Sequence, residues 1–173
     1  MVKPPDIYVL SGLVANEDGW TYRSLADRLR VPHAKVQRAL SRAQAADLYS
    51  AERRAVHLPH YEEFATHALR FVAPVELGGV VPGVPAAWAA EPMASAIRTS
   101  SDEPPVWPYA RGRVRGQALE PLHPAAAEAV ESWRELGEIL AILDSLRAGD
   151  PRIRRVAEDL LATMLRERSN ASR

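Results

Sequence analysis

Hydrophobic residues recur at spacings of three and four over the first 46 residues, a period typical of helices that pack by one face. Pro4-Pro5-Asp6 opens the first predicted helix, and Asn16-Glu17-Asp18-Gly19 ends it. Thr21 is a residue type that caps helix N-termini, so it predicts a second, short helix. Pro32 stands where the first turn of a third helix is expected, and that helix continues to about Ala46. Three helices are therefore predicted before residue 47.

The pattern changes after the third predicted helix. The segment from Leu48 to His57 has the length of a small β-hairpin, with Glu52-Arg53-Arg54 at its tip. Pro59 begins a fourth predicted helix, whose apolar stripe includes Tyr61 and Phe71.

From Pro74 to Pro124 the chain contains nine of its fourteen prolines, so long regular elements are not expected there. Trp88 and Trp107 indicate an ordered segment, because flexible linkers seldom carry large aromatic residues. We expect short strands near Val106-Trp107 and between residues 113 and 119.

Helical periodicity returns after residue 124, and Asp150-Pro151 combines an acidic N-cap with proline at the first helical position. Two C-terminal helices are predicted, both apolar enough to need a partner surface. The chain is thus expected to have three regions, namely residues 1–73, a Pro/Gly-rich ordered segment 74–123, and a helical region 124–173 for dimerisation or sensing.

Composition excludes several classes of protein. The chain has no cysteine, which excludes disulfide scaffolds, thiolate zinc sites and thiol catalysis. No window approaches the run of about 18 apolar residues that a membrane helix needs, so no membrane partner is expected. The N-terminus lacks the apolar core of a signal peptide, and a cytoplasmic location is therefore expected.

The charges are unevenly distributed although the formal net charge is zero. Residues 20–57 hold eight Lys/Arg and three acidic residues, whereas residues 74–173 hold twelve Lys/Arg and fourteen acidic residues. This uneven charge distribution is expected of a protein in which a basic DNA-binding domain is followed by a neutral or acidic second region.

The segment from Ser24 to Leu40 resembles the helix-turn-helix of MarR-like winged-helix transcriptional regulators. In that pattern Ala26 is the small residue that lets two helices cross, Val31 fills the turn, and Val36 and Leu40 anchor the reading helix. The predicted hairpin matches the wing. The resemblance covers Lys3 to Phe71 and implies a winged helix-turn-helix with a fourth helix. With the irregular Pro-rich segment and the two C-terminal helices predicted above, the expected fold is mainly α.

Arg30 departs from the family pattern, which often has glycine in a left-handed turn at this position. A left-handed arginine would carry strain of about 1 kcal/mol.

A helical wheel places Val36, Ala39, Leu40 and Ala43 on one side of the third helix. The opposite side carries Arg38, suited to bidentate contact with guanine, and Gln37 on one edge of it is suited to adenine. Lys35 and Arg42 lie on the other edge. These two residues, the two arginines of the wing and the start of the second helix are expected to meet phosphates. The predicted DNA contacts are Thr21, Tyr22, Arg23, His33, Lys35, Gln37, Arg38, Ser41, Arg42, Arg53 and Arg54.

The sequence contains residues for two other kinds of site. His60, Glu63 and His67 have the spacing of metal ligands on one helix face, but a polar face is the favoured interpretation. Trp88, Trp107 and Tyr109 would suit a small-molecule pocket, although aromatic residues of this kind more often belong to a core. We expect no metal, no cofactor and no enzyme activity, because no Gly-rich phosphate loop or nucleophile motif is recognisable.

The leading hypothesis is a transcriptional regulator that binds specific double-stranded DNA as a homodimer, with helix 32–46 in the major groove and wing 50–56 on the backbone. The remainder would serve dimerisation or sensing of a small-molecule effector. A second hypothesis is a protein-interaction module, such as an antitoxin that neutralises a toxin and represses its own operon. A third, an enzyme in the C-terminal half, is disfavoured.

Overall fold

The computed structural model describes residues 1–171 and is mainly helical, with 55% of residues in helices. Every element predicted in the first 67 residues is present in the predicted order. The helices and strands of this part are α1 (Pro4–Ala15), α2 (Tyr22–Leu29), α3 (His33–Ala45), β1 (Tyr49–Ser50), β2 (Ala55–Val56) and α4 (Leu58–His67).

The remaining elements are shorter until the last two helices. They are α5 (Leu69–Val72), β3 (Val80–Pro85), a 3-10 turn (Ala87–Ala89), α6 (Met93–Ala96), β4 (Pro105–Pro108), β5 (Val114–Ala118), α7 (Ala126–Ala129), α8 (Arg134–Ala148) and α9 (Pro151–Ala171). The predicted C-terminal region 124–173 ends with two residues that lie outside the described part of the chain.

Two of the predicted helix starts, at Thr21 and at Asp150, are confirmed by their hydrogen bonds. The Thr21 side chain accepts from the backbone N–H of Ser24 at 3.0 Å, and the Ser24 hydroxyl lies 2.9 Å from the Thr21 backbone nitrogen that donates to it. Asp150 Oδ1 accepts from the backbone N–H of Ile153 at 2.9 Å at the start of α9. Each cap satisfies a donor that the first helical turn leaves without an intrahelical partner.

One helix differs from the prediction in its apolar face. Tyr61, Ala65 and Leu69 are buried at intervals of four residues, whereas the Phe71 side chain is 69% exposed. The helical run is interrupted at Ala68, which ends α4 and precedes the single turn of α5. The prediction that Phe71 belongs to the buried stripe is therefore wrong, and Leu69 takes that place.

Strands β3, β4 and β5 close into a three-stranded barrel. β3 pairs antiparallel with both β4 and β5, and β4 pairs with β5 in parallel. Two of these strands were predicted, but β3 was not, since its sequence contains two prolines. The small barrel requires close backbone approach, and a Cβ added at Gly116 would lie 1.9 Å from the Pro104 carbonyl oxygen.

Helix α1 is covered on all sides, because every residue from Asp6 to Ala15 is buried. It packs against α3 on one side and α8 on another. Helix α8 is also buried over most of its length, from Ile139 to Arg147. One hydrophobic core therefore contains residues from all three predicted regions of the chain.

A buried ionic cluster, the Arg147 cluster, joins the same three regions. Arg147 donates to the Asp144 carboxylate at 2.6 Å, to the Ala73 carbonyl at 2.9 Å and to the Glu120 carbonyl at 3.2 Å. The other Asp144 oxygen accepts from Trp107 Nε1 at 2.7 Å. Burial raises the pKa of the Asp144 carboxyl, and the hydrogen bonds and positive charge of Arg147 oppose that rise.

None of the helices in residues 1–171 combines the length and apolarity needed to cross a membrane.

The turn between α2 and α3 is built around a left-handed residue. Arg30 has φ 56° and ψ 41°, and its N–H donates to carbonyls at the end of α2. Val31 is buried behind it, and Pro32 precedes the first residue of α3. The turn therefore holds a non-glycine residue in a conformation that glycine adopts without strain.

Replacing Arg30 by glycine is expected to raise the free energy of unfolding by about 1 kcal/mol, because the left-handed strain is removed. The nearest carboxylate, of Glu128, is 4.0 Å from Arg30 and both side chains are half exposed, so loss of that contact costs little. Urea denaturation measures the change. As a control, Gln37→Gly in the right-handed interior of α3 should lower stability by about 0.5–1 kcal/mol. A shift of the same sign in both variants would contradict the interpretation.

Candidate nucleic-acid interface

The outward face of α3 is built as the helical wheel predicts. Val36, Ala39, Leu40 and Ala43 are buried against the core. The residues predicted to reach DNA from this helix lie on the exposed side, apart from one arginine described below. The exposed positions are His33, Ala34, Lys35, Gln37, Arg38, Ser41, Gln44 and Ala45.

Arg42 does not extend from this face as the others do. Its Nε and its terminal nitrogen lie 2.8 and 2.6 Å from the two carboxylate oxygens of Asp6, which is fully buried at the start of α1. This hydrogen-bonded contact raises the pKa of the Arg42 guanidinium. The bidentate pair fastens α3 to α1, so the structure gives Arg42 a packing role that the predicted phosphate contact did not include. Asp6 was not singled out in the sequence.

The start of α2 lies beside the start of α3. The Tyr22 ring makes edge contacts with Trp20, at 5.4 Å between centroids, and with His33, at 5.7 Å. Thr21 and Arg23 are exposed on either side of Tyr22. The predicted phosphate-binding residues of α2 are thus brought next to the N-terminal end of α3.

The β1–β2 hairpin is held against the same place by Trp20 and Arg54. The Arg54 guanidinium lies over the Trp20 ring at 4.6 Å and donates to the Trp20 carbonyl at 3.0 Å. In return, Trp20 Nε1 donates to the Arg54 carbonyl at 3.1 Å. Arg54 therefore serves as an anchor, while the Arg53 side chain at the hairpin tip is exposed. Trp20 was not predicted to take part.

The charge on this surface is predominantly positive. Lys35, Arg38 and Arg53 form no ion pair with a carboxylate of residues 1–171, and α3 itself contains no acidic residue. The start of α3, the start of α2 and the hairpin are connected by the contacts of Tyr22 with His33 and Trp20 and of Trp20 with Arg54. This arrangement can hold a polyanion and present hydrogen-bond donors to groups between its charges.

Comparisons with known protein families, with curated proteins and with solved structures gave no match for the chain. Function is therefore inferred from its own side chains.

The segment from residue 123 to residue 133 lies beside the first two helices. His123 stacks on Tyr8 of α1, with ring centroids 5.1 Å apart. Arg28 of α2 lies 3.6 Å above the Trp133 ring, and Arg30 approaches Glu128 at 4.0 Å. These contacts with α1 and α2 are not predicted from the sequence.

Residues of the candidate metal site and of the candidate aromatic pocket make packing contacts. His60 Nδ1 lies 2.8 Å from the Asp47 carbonyl, and its ring stacks on His57 at 3.6 Å. Within residues 1–171 no three His, Asp or Glu side chains are placed to hold a metal ion. Trp107 is 2% exposed and bound to Asp144, so it belongs to the core, as favoured over a pocket.

Proposed function

We propose that the chain is a winged helix-turn-helix protein of the cytoplasm that binds specific double-stranded DNA and regulates transcription. The observation that carries the proposal is the outward face of α3. It exposes Gln37, Arg38 and Ser41 among small alanines and unpaired cations, with the buried side of the same helix fixed to the core. These side-chain types at this spacing are suited to the edges of bases in a major groove.

Each part of the surface has a separate role in this proposal. Arg38 contacts guanine through its two guanidinium nitrogens, and Gln37 contacts adenine through its amide. Lys35, Arg53 and the start of α2 contact phosphates, which supply affinity without sequence information. The small side chains Ala34 and Ala45 let the helix approach the floor of the groove.

The hairpin acts as the wing, and its contact with Trp20 sets its position before DNA arrives. Arg54 is already held against the start of α2, at 3.0 Å from the Trp20 carbonyl. A hairpin fixed in this way loses less conformational freedom on binding than a free one. Arg53 is then the wing residue that meets the DNA backbone.

The proposal includes a homodimer, because helix-turn-helix proteins commonly read paired half-sites with two-fold symmetry. The apolar stripes of α8 and α9 are buried within one chain, including Leu140, Leu143, Leu161 and Leu165. A dimer would therefore form through surface that is exposed in the single chain.

The second candidate, a protein-binding module such as an antitoxin, is favoured by one observation. Phe71 is 69% exposed next to Val72, which is 40% exposed, and the Arg70 guanidinium lies over the Phe71 ring at 4.4 Å. Aromatic and arginine side chains are common anchors of protein interfaces. A chain that binds no DNA but recovers one stoichiometric protein partner in a pull-down would support this function instead.

The test is selection of bound sequences from genomic DNA fragments, followed by anisotropy measurements on the selected site and a scrambled one. Arg38→Ala is expected to reduce the preference for the selected site by about 10-fold or more, the discrimination that one bidentate base contact supplies. Arg53→Ala should weaken binding to both sequences alike and reduce the salt dependence by about one ion.

Arg152→Ala provides the control, because this arginine is exposed on α9 and distant in sequence from the proposed interface. It should leave both affinities unchanged. No measurable affinity of the unmodified chain for any fragment at low salt would refute the proposal. Equal loss of specificity in the Arg38 and Arg53 variants would refute the separate roles.

A further inference from the structure

A cleft of about 190 Å³ lies between α1 and α3, beside the proposed DNA-reading face. Lys35, Arg38 and Arg42 form its cationic wall, and Val9 contributes to its apolar wall. His123, from the segment that precedes α7, lines the same cleft. The cleft therefore combines residues of the first 42 positions with one from a distant part of the chain.

The charges around the cleft leave two cations without compensation. Arg42 is neutralised by Asp6, whose two oxygens lie 2.6 and 2.8 Å from it. Lys35 and Arg38 have no such partner among the residues that the structure describes. A phosphate monoester carries about 1.5 to 2 negative charges near neutral pH, so it matches this wall in both sign and number.

His123 adds a hydrogen-bond donor that does not need to be charged. Its Nδ1 accepts from the backbone N–H of Ala125 at 3.0 Å, so the neutral ring carries its proton on Nε2. The stack on Tyr8, with rings 12° from parallel, fixes the plane of the imidazole. Burial, and to a smaller extent Lys35, lower the pKa of His123, which keeps it neutral at pH 7.

We propose that this cleft binds a phosphoryl group, held by Lys35 and by the Nε2–H of His123. The group belongs either to the DNA backbone beside α3, with Arg38 left free for its base, or to a soluble phosphate monoester, whose second negative charge engages Arg38 as well. The first source rests on the proposed function, whereas the second does not. The cleft is smaller than the roughly 300–1,000 Å³ pockets that hold drug-sized ligands, so a soluble ester would carry a small substituent.

A soluble ester would also act on DNA binding. Lys35 and Arg38 belong both to the cleft and to the outward face of α3. A phosphate that engages them withdraws Arg38 from its base contact. The soluble ligand would therefore release DNA by competition for the same side chains.

The first arm of the experiment titrates phenyl phosphate into the full chain by calorimetry at constant ionic strength. Saturation with Kd below about 1 mM is expected, with benzoate, a monoanion of similar shape, binding at least about tenfold more weakly. Lys35→Gln and His123→Phe should each weaken phenyl phosphate binding by about tenfold, the loss of one charge-assisted hydrogen bond. His67→Phe, at an exposed position on α4, is the matched control and should change nothing.

The second arm measures the affinity of the same variants for the selected DNA site. Loss of phenyl phosphate binding in the Lys35 and His123 variants supports a soluble ligand, even if the unmodified chain binds no DNA. A weaker DNA complex of His123→Phe without phenyl phosphate saturation supports a backbone phosphate. The proposal is overturned if phenyl phosphate does not bind and His123→Phe and His67→Phe bind DNA equally. Because Lys35 is exposed, its variant keeps the test valid if His123→Phe folds poorly.

Discussion

Replacing Asp144 by alanine should lower the free energy of unfolding by about 3–5 kcal/mol, the cost of leaving a buried ion without its partner. The Arg147 side chain is 4% exposed and its 2.6 Å contact with Asp144 would be lost. Trp107 Nε1 would lose its acceptor at the same time. Both groups are too deeply buried for water to replace the carboxylate. Urea denaturation monitored by tryptophan fluorescence provides the measurement.

Glu138→Ala is the matched control because it removes a carboxylate–arginine pair from the same helix, α8. The Glu138–Arg134 contact is 2.8 Å long, but the Arg134 side chain is 83% exposed. Exposed pairs of this spacing contribute only about 0.3–0.5 kcal/mol. If the two variants lose the same stability, the Arg147 cluster does not have the structural role assigned to it.

Replacing Gly116 by alanine should lower the free energy of unfolding by about 3 kcal/mol, the upper end of the usual cost of overpacking. The added methyl would lie 1.9 Å from the Pro104 carbonyl oxygen and 2.8 Å from a Val106 methyl. The first of these atoms is backbone, so rotation of a side chain cannot relieve the clash. Strand β5 would have to move away from β4, which breaks the closed three-stranded barrel. Thermal unfolding followed by near-UV circular dichroism would detect the change.

Gly79→Ala tests whether the effect depends on crowding alone. No atom lies within 4 Å of a Cβ added at Gly79, just before β3. This variant should stay within about 0.5 kcal/mol of the unmodified chain. A Gly116 variant as stable as the Gly79 variant would show that the strands can separate without cost, contrary to the geometry.

Local signals in the sequence were sufficient for most helices. Thr21 and Asp150 mark helix starts because a side-chain oxygen within three residues satisfies an N–H. Apolar spacing identified the inward side of α3, since one face of a helix is enough to define its orientation. The left-handed conformation of Arg30 was not predicted from its residue type, since arginine carries strain there.

The barrel and the burial of α1 depend on partners that are distant in the sequence. β3 has two prolines and no alternation of apolar residues, and it becomes a strand because β4 and β5 supply its hydrogen-bonding partners. Helix α1 is buried on every side because α8 covers it from the far end of the chain. Neither the pairing of β3 nor the burial of α1 by α8 produces a periodic pattern of apolar residues within one segment.

The same limit applies to the candidate interface. Its exposed residues on α3 were predicted from periodicity, but the contacts that fix them were not. Asp6 binds an arginine 36 residues later, and Trp20 binds another 34 residues later. His123 joins the cleft from a still greater distance. The position of a single acidic residue or tryptophan in the sequence does not indicate which distant residue it contacts in the folded chain.

The coverage of α1 has a consequence for how this protein could be rearranged during evolution. Many DNA-reading elements are portable, and a gene fusion can transfer them intact to a new regulator. If segment 1–73 of this protein were transferred alone, it would include α1, whose residues from Asp6 to Ala15 are buried in part by α8. It would also leave behind Arg147, which binds the Ala73 carbonyl. The proposed reading element and the last hundred residues are therefore expected to be inherited together.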